Sequence, residues 1–331
     1  MKRLLRGVAL AAGVAAVAVG VRSVVGKRRS IAMVPEELRH PVLYAPFQVT
    51  SRMLVRAMRR IPVPGGPVEP GVTVDRRDDL YIYQPSARSV PSGALLYIHG
   101  GGYVFGDPST YHPICSRIAA ELGILVVSVN YRKAPDDPFP APLDDCFRAL
   151  TWIHEQAEAL GVDPARVAVA GDSAGGGLAA ALAQMAYDRS VPLCFQALIY
   201  PMLDDRTVLR EDHLGTGELV WTPASNRFSW TAYLGHPPRA EEPRPYAVPA
   251  RRKDLAGLAP AWIGVGDLDL FHAEDVAYAG RLKLAGVPCE LVVVPGMYHG
   301  ADAFLAGRAA AMIAFRDGMI DALRKAVASR G

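Results

Sequence analysis

Hydrophobic positions follow two alternating patterns along most of the chain. Short apolar runs bounded by glycine or proline predict buried strands, whereas longer segments with apolar residues every three or four positions predict helices. Strands are predicted at residues 79–84, 94–98, 124–129, 166–170, 195–200, 261–265 and 290–294. Helices are predicted at residues 113–122, 143–160, 174–187, 273–285 and 304–328. This alternation predicts an α/β fold with a mostly parallel sheet and helices on both of its faces.

Residues 203–250 interrupt the alternation. They are rich in proline and hold several large aromatic residues, including Trp221 and Trp230. In a parallel sheet, ligands bind beside the carboxyl ends of the strands. The insertion is therefore interpreted as a helical cap or substrate wall over that edge, with a structural subdomain that makes no substrate contact as the alternative.

The N-terminal part divides into two further regions. Residues 31–71 are predicted to form cap helices and a linker, because residues 35–60 have helical periodicity and residues 62–71 are rich in proline and glycine. Four arginines, Arg52, Arg56, Arg59 and Arg60, crowd one side of this periodic segment. That side is interpreted as an ordinary solvated helix face, a lid element or a membrane-surface contact. Residues 72–331 then form the main α/β domain.

Residues 1–30 form a basic and apolar leader. A short basic start precedes an apolar run at residues 7–21, which Arg22 closes. The run is shorter than the about 20 residues of a typical span, and it is similar in length to the hydrophobic region of a signal peptide. Three interpretations stay open: a membrane signal-anchor, a cleaved signal peptide, and a packing or disordered tail. The first predicts a membrane-associated protein, and the others an exported or a cytoplasmic one.

Charge and composition narrow the function classes. The chain has a net charge of +3, and residues 1–30 hold seven cations and no acid, so +3 less those seven leaves −4 for the other 301 residues. A slightly acidic main domain argues against nucleic-acid binding. The content of 50% hydrophobic and 21% charged residues is typical of a globular fold. The four cysteines lack the spacing of a zinc site, and no metal or other cofactor is expected.

A serine motif follows the strand predicted at residues 166–170. Gly171-Asp172-Ser173-Ala174-Gly175 fits G-x-S-x-G, in which a strand turns sharply into a helix and exposes the serine hydroxyl at the sheet edge. A lone motif of this kind is weak, because serine also caps ordinary helices. The strand before it and the helix after it are the context that the motif requires. Ser173 is therefore a candidate nucleophile.

A run of glycines strengthens that assignment. His99-Gly100-Gly101-Gly102 directly follows another predicted strand. Three consecutive glycines allow backbone N–H groups to point into one small space. The N–H groups of Gly101 and Gly102, together with that of Ala174, are candidates for an oxyanion hole.

A serine nucleophile also needs a base and an orienting acid, in the chain order Ser, Asp or Glu, His. His299 lies just past the strand predicted at residues 290–294, with His272 as a rival at a helix start. Asp267 and Asp269 both follow the strand predicted at residues 261–265, and position alone does not separate them. His213 and His236 lie in the irregular insertion.

These motifs together resemble the hormone-sensitive-lipase group of α/β-hydrolases, which includes bacterial carboxylesterases and arylacetamide deacetylases. The likeness covers roughly residues 75 to 325. Besides the serine and glycine motifs, it is carried by Tyr131-Arg132-Lys133-Ala134-Pro135, Pro138-Phe139-Pro140-Ala141, Tyr200-Pro201-Met202-Leu203-Asp204, Asp269-Leu270-Phe271 and His299-Gly300.

The resemblance implies the α/β-hydrolase fold and a role for each matched residue. It implies that Ser173 is the nucleophile, His299 the base, and Asp269 rather than Asp267 the orienting acid. It also implies that Gly101, Gly102 and Ala174 form the oxyanion hole, with His99, Gly100 and Asp172 as supporting motif residues. The chain departs from the family pattern at Lys133, at Ala273-Glu274 and at Ala301. Those departures bear on the pocket more than on the three reactive groups.

The expected function is a serine carboxylesterase that acts on short- to medium-chain esters through an acyl-enzyme. An amide or carbamate hydrolase of the same fold is the first alternative. A catalytically silent small-molecule receptor on this fold is the second. The expected partner is a small-molecule ester, with a membrane surface contacted through residues 1–30.

Overall fold

The structure is a computed structural model that describes residues 27–45, 48–61, 64–213, 215–239 and 241–328. Its centre is an eight-stranded sheet with the order β1-β2-β4-β3-β5-β6-β7-β8. The strands β1 and β2 run antiparallel to their neighbours, and all other pairs are parallel. The strands are β1 (Val72–Arg77), β2 (Leu80–Pro85), β3 (Ser92–Ile98), β4 (Leu125–Val129), β5 (Val162–Asp172), β6 (Phe195–Ile199), β7 (Ala261–Gly266) and β8 (Cys289–Val294).

Helices cover both faces of the sheet, as predicted. They are α1 (Arg52–Arg60), α2 (His112–Leu122), α3 (Ala141–Glu155), α4 (Ala157–Leu160), α5 (Ala174–Asp188), α6 (Pro223–Leu234), α7 (His272–Leu284), α8 (Ala301–Phe304) and α9 (Ala310–Val327). Neighbouring side chains of β3 point to opposite faces. Leu96 and Ile98 join the core under α3, α5 and α7, whereas Leu95 and Tyr97 join the core under α2 and α9.

The predicted strands are confirmed to within a few residues, and three helix predictions are wrong. Residues 143–160 form two helices, α3 and α4, which are separated at Gln156. Residues 304–328 do not form one helix, because α8 and α9 are separated by a turn in which Gly307 has a φ of +69°. Residues 35–60 do not form one helix either. Short 3-10 turns occupy Glu36–Leu38 and Pro41–Tyr44, and only α1 is an α-helix there. Pro35 and Pro41 lack the N–H group that a helix interior needs, so each stands at the start of a turn.

The N-terminal segment from residue 27 onward lies against the main domain. The Lys27 ammonium group donates to the Ala45 carbonyl at 2.7 Å, and the side chains of Leu38 and Leu43 are buried in the core beside α9. Within the described residues, no helix has the length and apolar character needed to cross a membrane. The apolar run at residues 7–21, on which the leader prediction depends, lies outside the described residues.

The insertion at residues 203–250 contains α6 and two 3-10 turns, Asp205–Leu209 and Pro249–Arg251. Trp230 of α6 is fully buried beside Tyr103, and Tyr233, about one helical turn further on, stacks on the same Tyr103 ring at 4.0 Å between centroids. Tyr103 directly follows the glycine run. The insertion is therefore packed onto the loop that follows β3, at the carboxyl edge of the sheet.

Candidate active site

The chain turns sharply between β5 and α5, and Ser173 occupies the turn. Ser173 has φ +57° and ψ −119°, a conformation that is strained for any residue with a β-carbon. A β-carbon on Gly171 would lie 2.3 Å from the Gly175 carbonyl oxygen, and one on Gly175 would lie 2.1 Å from the Ile98 carbonyl oxygen. Only glycine fits these two positions, so the motif is explained by the close approach of three backbone segments.

The Ser173 hydroxyl meets a histidine and a carboxylate from two other strand ends. Ser173 Oγ lies 2.9 Å from His299 Nε2, and His299 Nδ1 lies 2.8 Å from Asp269 Oδ2. Because a carboxylate only accepts, Nδ1 carries the proton and Nε2 is free to accept the hydroxyl proton. The Asp269 side chain is fully buried, and its other oxygen accepts from the Phe271 N–H at 2.9 Å.

The two candidate acids have different partners. Asp267 accepts a hydrogen bond from the Gly296 N–H at 2.7 Å, which fastens the loop that leads to His299. The carboxylate that contacts the imidazole is that of Asp269. Of the rival histidines, His272 begins α7 and its backbone N–H donates to the Asp269 carbonyl, while His236 pairs with Glu242 in the insertion.

The glycine run lies beside the serine. Gly101 and Gly102 have φ values of +122° and +57°, which favour glycine. Both line the same cavity as Ser173 and His299. Ala174 is the first residue of α5, so its N–H points out of the helix start, where the helix dipole is positive. These three N–H groups therefore stay the candidates for an oxyanion hole that the sequence predicts.

The side chain before the glycines supports the loop. The His99 ring is buried and stacks on Tyr131 with 4.3 Å between centroids, and its Nδ1–H donates to the Gly100 carbonyl at 2.7 Å. The Tyr131 hydroxyl donates to the His99 carbonyl at 3.0 Å. Burial, with the charge of Lys133, lowers the pKa of His99 to about 3. His99 is therefore a neutral structural group.

A cavity of about 1160 Å³ opens above Ser173. Aromatic side chains from five separate parts of the chain line it, and one of these parts is the N-terminal segment. The aromatic residues are Tyr44, Phe105, Tyr111, Tyr200, Trp221 and Phe304. The insertion thus reaches the cavity through Trp221, whereas Trp230 packs against Tyr103.

Two residues at the site were missed by sequence reasoning. The Tyr111 hydroxyl accepts a hydrogen bond from the Gly100 N–H at 3.0 Å. Arg316 of α9 reaches Asp172, the residue before Ser173, at 2.7 Å. No motif surrounds these two residues in the sequence, and only the folded chain brings them to the sheet edge. Trp221, which the interpretation of the insertion as a substrate wall already names, lies 6.1 Å from the His299 ring between centroids.

Comparisons with known proteins agree with this geometry. A family model described as alpha/beta hydrolase fold matches residues 95–303. Esterase LipI of Mycobacterium tuberculosis is 39% identical over 209 residues, which cover 62% of this chain and 64% of LipI. Carboxylesterase NlhH of the same organism is 36% identical over 232 residues, which cover 66% of this chain and 69% of NlhH. The solved structure of a bacterial heroin esterase matches with a TM-score of 0.78 at 33% identity, over 91% of this chain and 100% of that one.

The chain belongs to this alpha/beta hydrolase family. The predicted fold is confirmed by the family match and by the eight-stranded sheet. The relatives reported above are named esterases and carboxylesterases, so the prediction of an ester hydrolase is confirmed at the level of the family. The alignment with LipI spans just under two thirds of that protein's length.

Substitution of Gly102 by alanine tests the glycine loop. The new β-carbon would lie 2.4 Å from Trp221 Cη2 and 2.9 Å from Ser229 Oγ, and φ at this position is +57°. We expect the loop to shift and kcat for ester hydrolysis to fall about 10²- to 10³-fold, the usual effect of losing one oxyanion donor. Steady-state kinetics measures this. The exposed Gly215, where a β-carbon meets nothing within 4 Å, provides the control Gly215→Ala; equal activities of the two variants would contradict the assignment.

Glu274 lies in the first turn of α7, five residues after Asp269, and is fully buried. It accepts hydrogen bonds from the N–H groups of Leu203 and Asp204 at 2.7 and 3.1 Å, and from the Thr207 hydroxyl. Burial, together with the Asp204 charge, raises the pKa of Glu274 to about 8. The carboxyl group is therefore neutral in the folded chain at pH values where it is ionised in the unfolded chain.

This shift predicts a pH dependence of stability. A carboxyl group whose pKa is raised by folding stabilises the fold fully below its unfolded pKa, and that contribution is lost as the pH rises to about 8. The free energy of unfolding of the wild-type chain should fall between pH 5 and pH 8. We expect this fall to be smaller by about 2–4 kcal/mol in Glu274→Gln. Urea unfolding at the two pH values measures it, with the exposed Glu158→Gln as control. An unchanged loss in Glu274→Gln would refute the prediction.

Proposed function

We propose that the protein is a serine carboxylesterase in which Ser173 is the nucleophile, His299 the general base and Asp269 the orienting acid. The observation that carries the proposal is the continuous hydrogen-bonded path from the Ser173 hydroxyl through the imidazole to the buried carboxylate. Esterase names among the family relatives support the same reaction class.

The reaction has two steps. Ser173 Oγ attacks the ester carbonyl while His299 Nε2 takes its proton, and the N–H groups of the glycine loop and of Ala174 stabilise the oxyanion. His299 then protonates the leaving alcohol, which departs and leaves an acyl group on Ser173. A water molecule, activated by the same imidazole, hydrolyses the acyl-enzyme and restores the hydroxyl. Asp269 stabilises the imidazolium that forms in each step.

The cavity supports an ester of short to medium acyl length as substrate. Its aromatic lining suits an apolar acyl or alcohol group. Trp221 limits the space beside the proposed oxyanion loop, because a β-carbon added to Gly102 would lie only 2.4 Å from the indole ring. A pocket of this kind binds its ligand mainly by apolar contact with a few polar groups at the reacting end.

Rates on matched substrates test the choice of bond. A series of p-nitrophenyl esters of increasing acyl length is compared with p-nitroanilides of the same acyl groups. We expect the esters to be hydrolysed faster, with the highest kcat/KM among the short to medium chains. Faster anilide cleavage would favour the amidase alternative. Tight ligand binding without turnover of any ester would favour a receptor.

We also propose that residues 1–30 contact a membrane. The support is the cluster of seven cations around an apolar run, which suits an anionic lipid surface. Because Lys27 donates to the Ala45 carbonyl and Ser30 is buried, the variant to test lacks residues 1–26. We expect the full chain to float with anionic vesicles and the shortened chain to stay in the soluble fraction with full esterase activity. Equal flotation of the two would overturn the proposal.

A further inference from the structure

Arg316 is an almost buried cation at the carboxyl edge of the sheet, with 12% of its side chain exposed. It lies on α9, far along the chain from the serine and glycine motifs. Its guanidinium group donates to Asp172 Oδ2 at 2.7 Å and to Asp302 Oδ2 at 2.5 Å. Both carboxylates are also buried, at 2% and 3% residue exposure, so solvent screens these ion pairs very little.

The two carboxylates belong to different reactive loops. Asp172 is the last residue of β5 and directly precedes Ser173, and Asp302 follows His299 by three residues in α8, the short helix that ends the loop after β8. The strands β5 and β8 are separated in the sheet by β6 and β7. A single guanidinium group therefore bridges the loop of the proposed nucleophile and the loop of the proposed base.

Two tyrosines complete the bridge. The Tyr97 hydroxyl donates to Asp172 Oδ1 at 2.7 Å, and the Tyr200 hydroxyl donates to Asp302 Oδ1 at 2.9 Å. The Tyr200 ring meets the His299 imidazole edge to face at 4.9 Å between centroids. Tyr200 also has a φ of +35°, which is unusual for a residue with a side chain. The strained backbone of Tyr200 thus places its side-chain hydroxyl against Asp302 and its ring against the His299 imidazole.

We propose that Arg316 is a positioning residue that sets the distance between Ser173 and His299 by holding Asp172 and Asp302 together. The inference rests on the proposed esterase mechanism and adds to it a residue outside the three reactive groups. Arg316 touches neither Ser173 nor His299 in the contacts described above. It acts through the two loops that carry them.

The chemistry of the bridge requires arginine. A planar guanidinium group presents several N–H donors in a fixed fork and can serve two carboxylates and the tyrosine hydroxyls at once. Burial opposes its charge, but Asp172 and Asp302 hold the pKa of Arg316 well above the usual value. Without the cation, the two buried carboxylates would repel each other, and the loops would move apart. A displacement of about 1 Å between reacting groups is enough to cost about 10²-fold in rate.

Replacement of Arg316 by methionine is the direct test, because methionine keeps the apolar stem and removes the fork. We expect kcat on a short p-nitrophenyl ester to fall about 10- to 100-fold, with KM changed less than about twofold. Arg316→Lys, which keeps the charge but not the fork, should recover part of the lost kcat. Asp302→Asn, which weakens only the contact to the His299 loop, should also lower kcat at unchanged KM.

The matched control is Arg166→Met. Arg166 is similarly covered, with 14% of its side chain exposed, and pairs with Asp163. It lies seven residues before Ser173, and its guanidinium group donates to the Pro91 carbonyl just before the start of β3, away from the carboxyl edge of the sheet. We expect this variant to lose stability, measured as Tm, while it keeps the wild-type kcat. If Arg316→Met keeps the wild-type kcat, or loses no more kcat than Arg166→Met, the positioning role is wrong.

The outcomes separate this inference from the proposed function. An active Arg316→Met beside an inactive Ser173→Ala would overturn the bridge and leave the esterase mechanism intact. Retained turnover in Ser173→Ala would overturn the mechanism itself. If Arg316→Met does not fold, Arg316→Lys and Asp302→Asn decide the matter, because wild-type kcat and KM in both would contradict the proposal.

Discussion

Replacement of Ser173 by alanine is expected to lower kcat for p-nitrophenyl ester hydrolysis about 10⁴- to 10⁶-fold, to little more than the rate given by binding and the oxyanion groups. The reason is that the Ser173 hydroxyl is the proposed nucleophile and makes the hydrogen bond to His299 Nε2, at 2.9 Å. Alanine keeps the β-carbon and so fits the turn as serine does. Steady-state kinetics and the Tm of the purified variant measure the two effects separately.

The control for Ser173→Ala is the partner that acts with it. Serine and histidine act as one unit, so His299→Ala should cost about as much, and the double variant should cost no more than either single one. Additive losses would show that the two residues work independently. Retained turnover in Ser173→Ala, with an unchanged Tm, would contradict the assignment of the nucleophile.

Replacement of Asp269 by asparagine is expected to lower kcat about 10³- to 10⁴-fold. The amide group can donate to His299 Nδ1, which would place the imidazole proton on Nε2 and leave no acceptor for the Ser173 hydroxyl. The buried position of Asp269 offers the imidazolium no substitute for the lost charge. The kcat of the variant across pH 6–9 measures this, and we expect the loss throughout that range.

Asp267→Asn is the matched control, two residues away on the same loop. The Asp267 carboxylate accepts from the Gly296 N–H, and an asparagine oxygen can accept that same hydrogen bond. We expect kcat to fall less than about tenfold. A larger loss in Asp267→Asn than in Asp269→Asn would reverse the two assignments.

Local signals in the sequence were enough for seven of the eight strands and for most of the candidate site. The strand β1 was missed, because its residues are mostly exposed and include three charged side chains, so it has no apolar run. Strands such as β4 and β7 are short apolar runs, and buried strands of a parallel sheet have that pattern. Gly171 and Gly175 are dictated by backbone contacts at the turn itself, so the motif around Ser173 is visible in five consecutive residues. His299 was indicated by its position just after a strand.

Other features depend on contacts between distant parts of the chain. Arg316 and Asp172 are 144 residues apart, and the sequence of an ordinary amphipathic helix does not distinguish Arg316 from a solvated arginine. Position alone left Asp267 and Asp269 equivalent, because both follow the same strand. Which of them faces the imidazole depends on the path of the turn after β7. The break between α8 and α9 depends on Gly307, whose left-handed conformation the apolar periodicity does not encode.

The most direct measurement is the site of covalent modification by an ester-like inhibitor. Diethyl p-nitrophenyl phosphate should react once with the wild-type chain, release one equivalent of nitrophenol and abolish esterase activity. Peptide mass spectrometry should then find the diethylphosphoryl group on Ser173, and Ser173→Ala should take up none. Loss of activity with the group on another residue, or stoichiometric labelling of Ser173→Ala, would contradict the account.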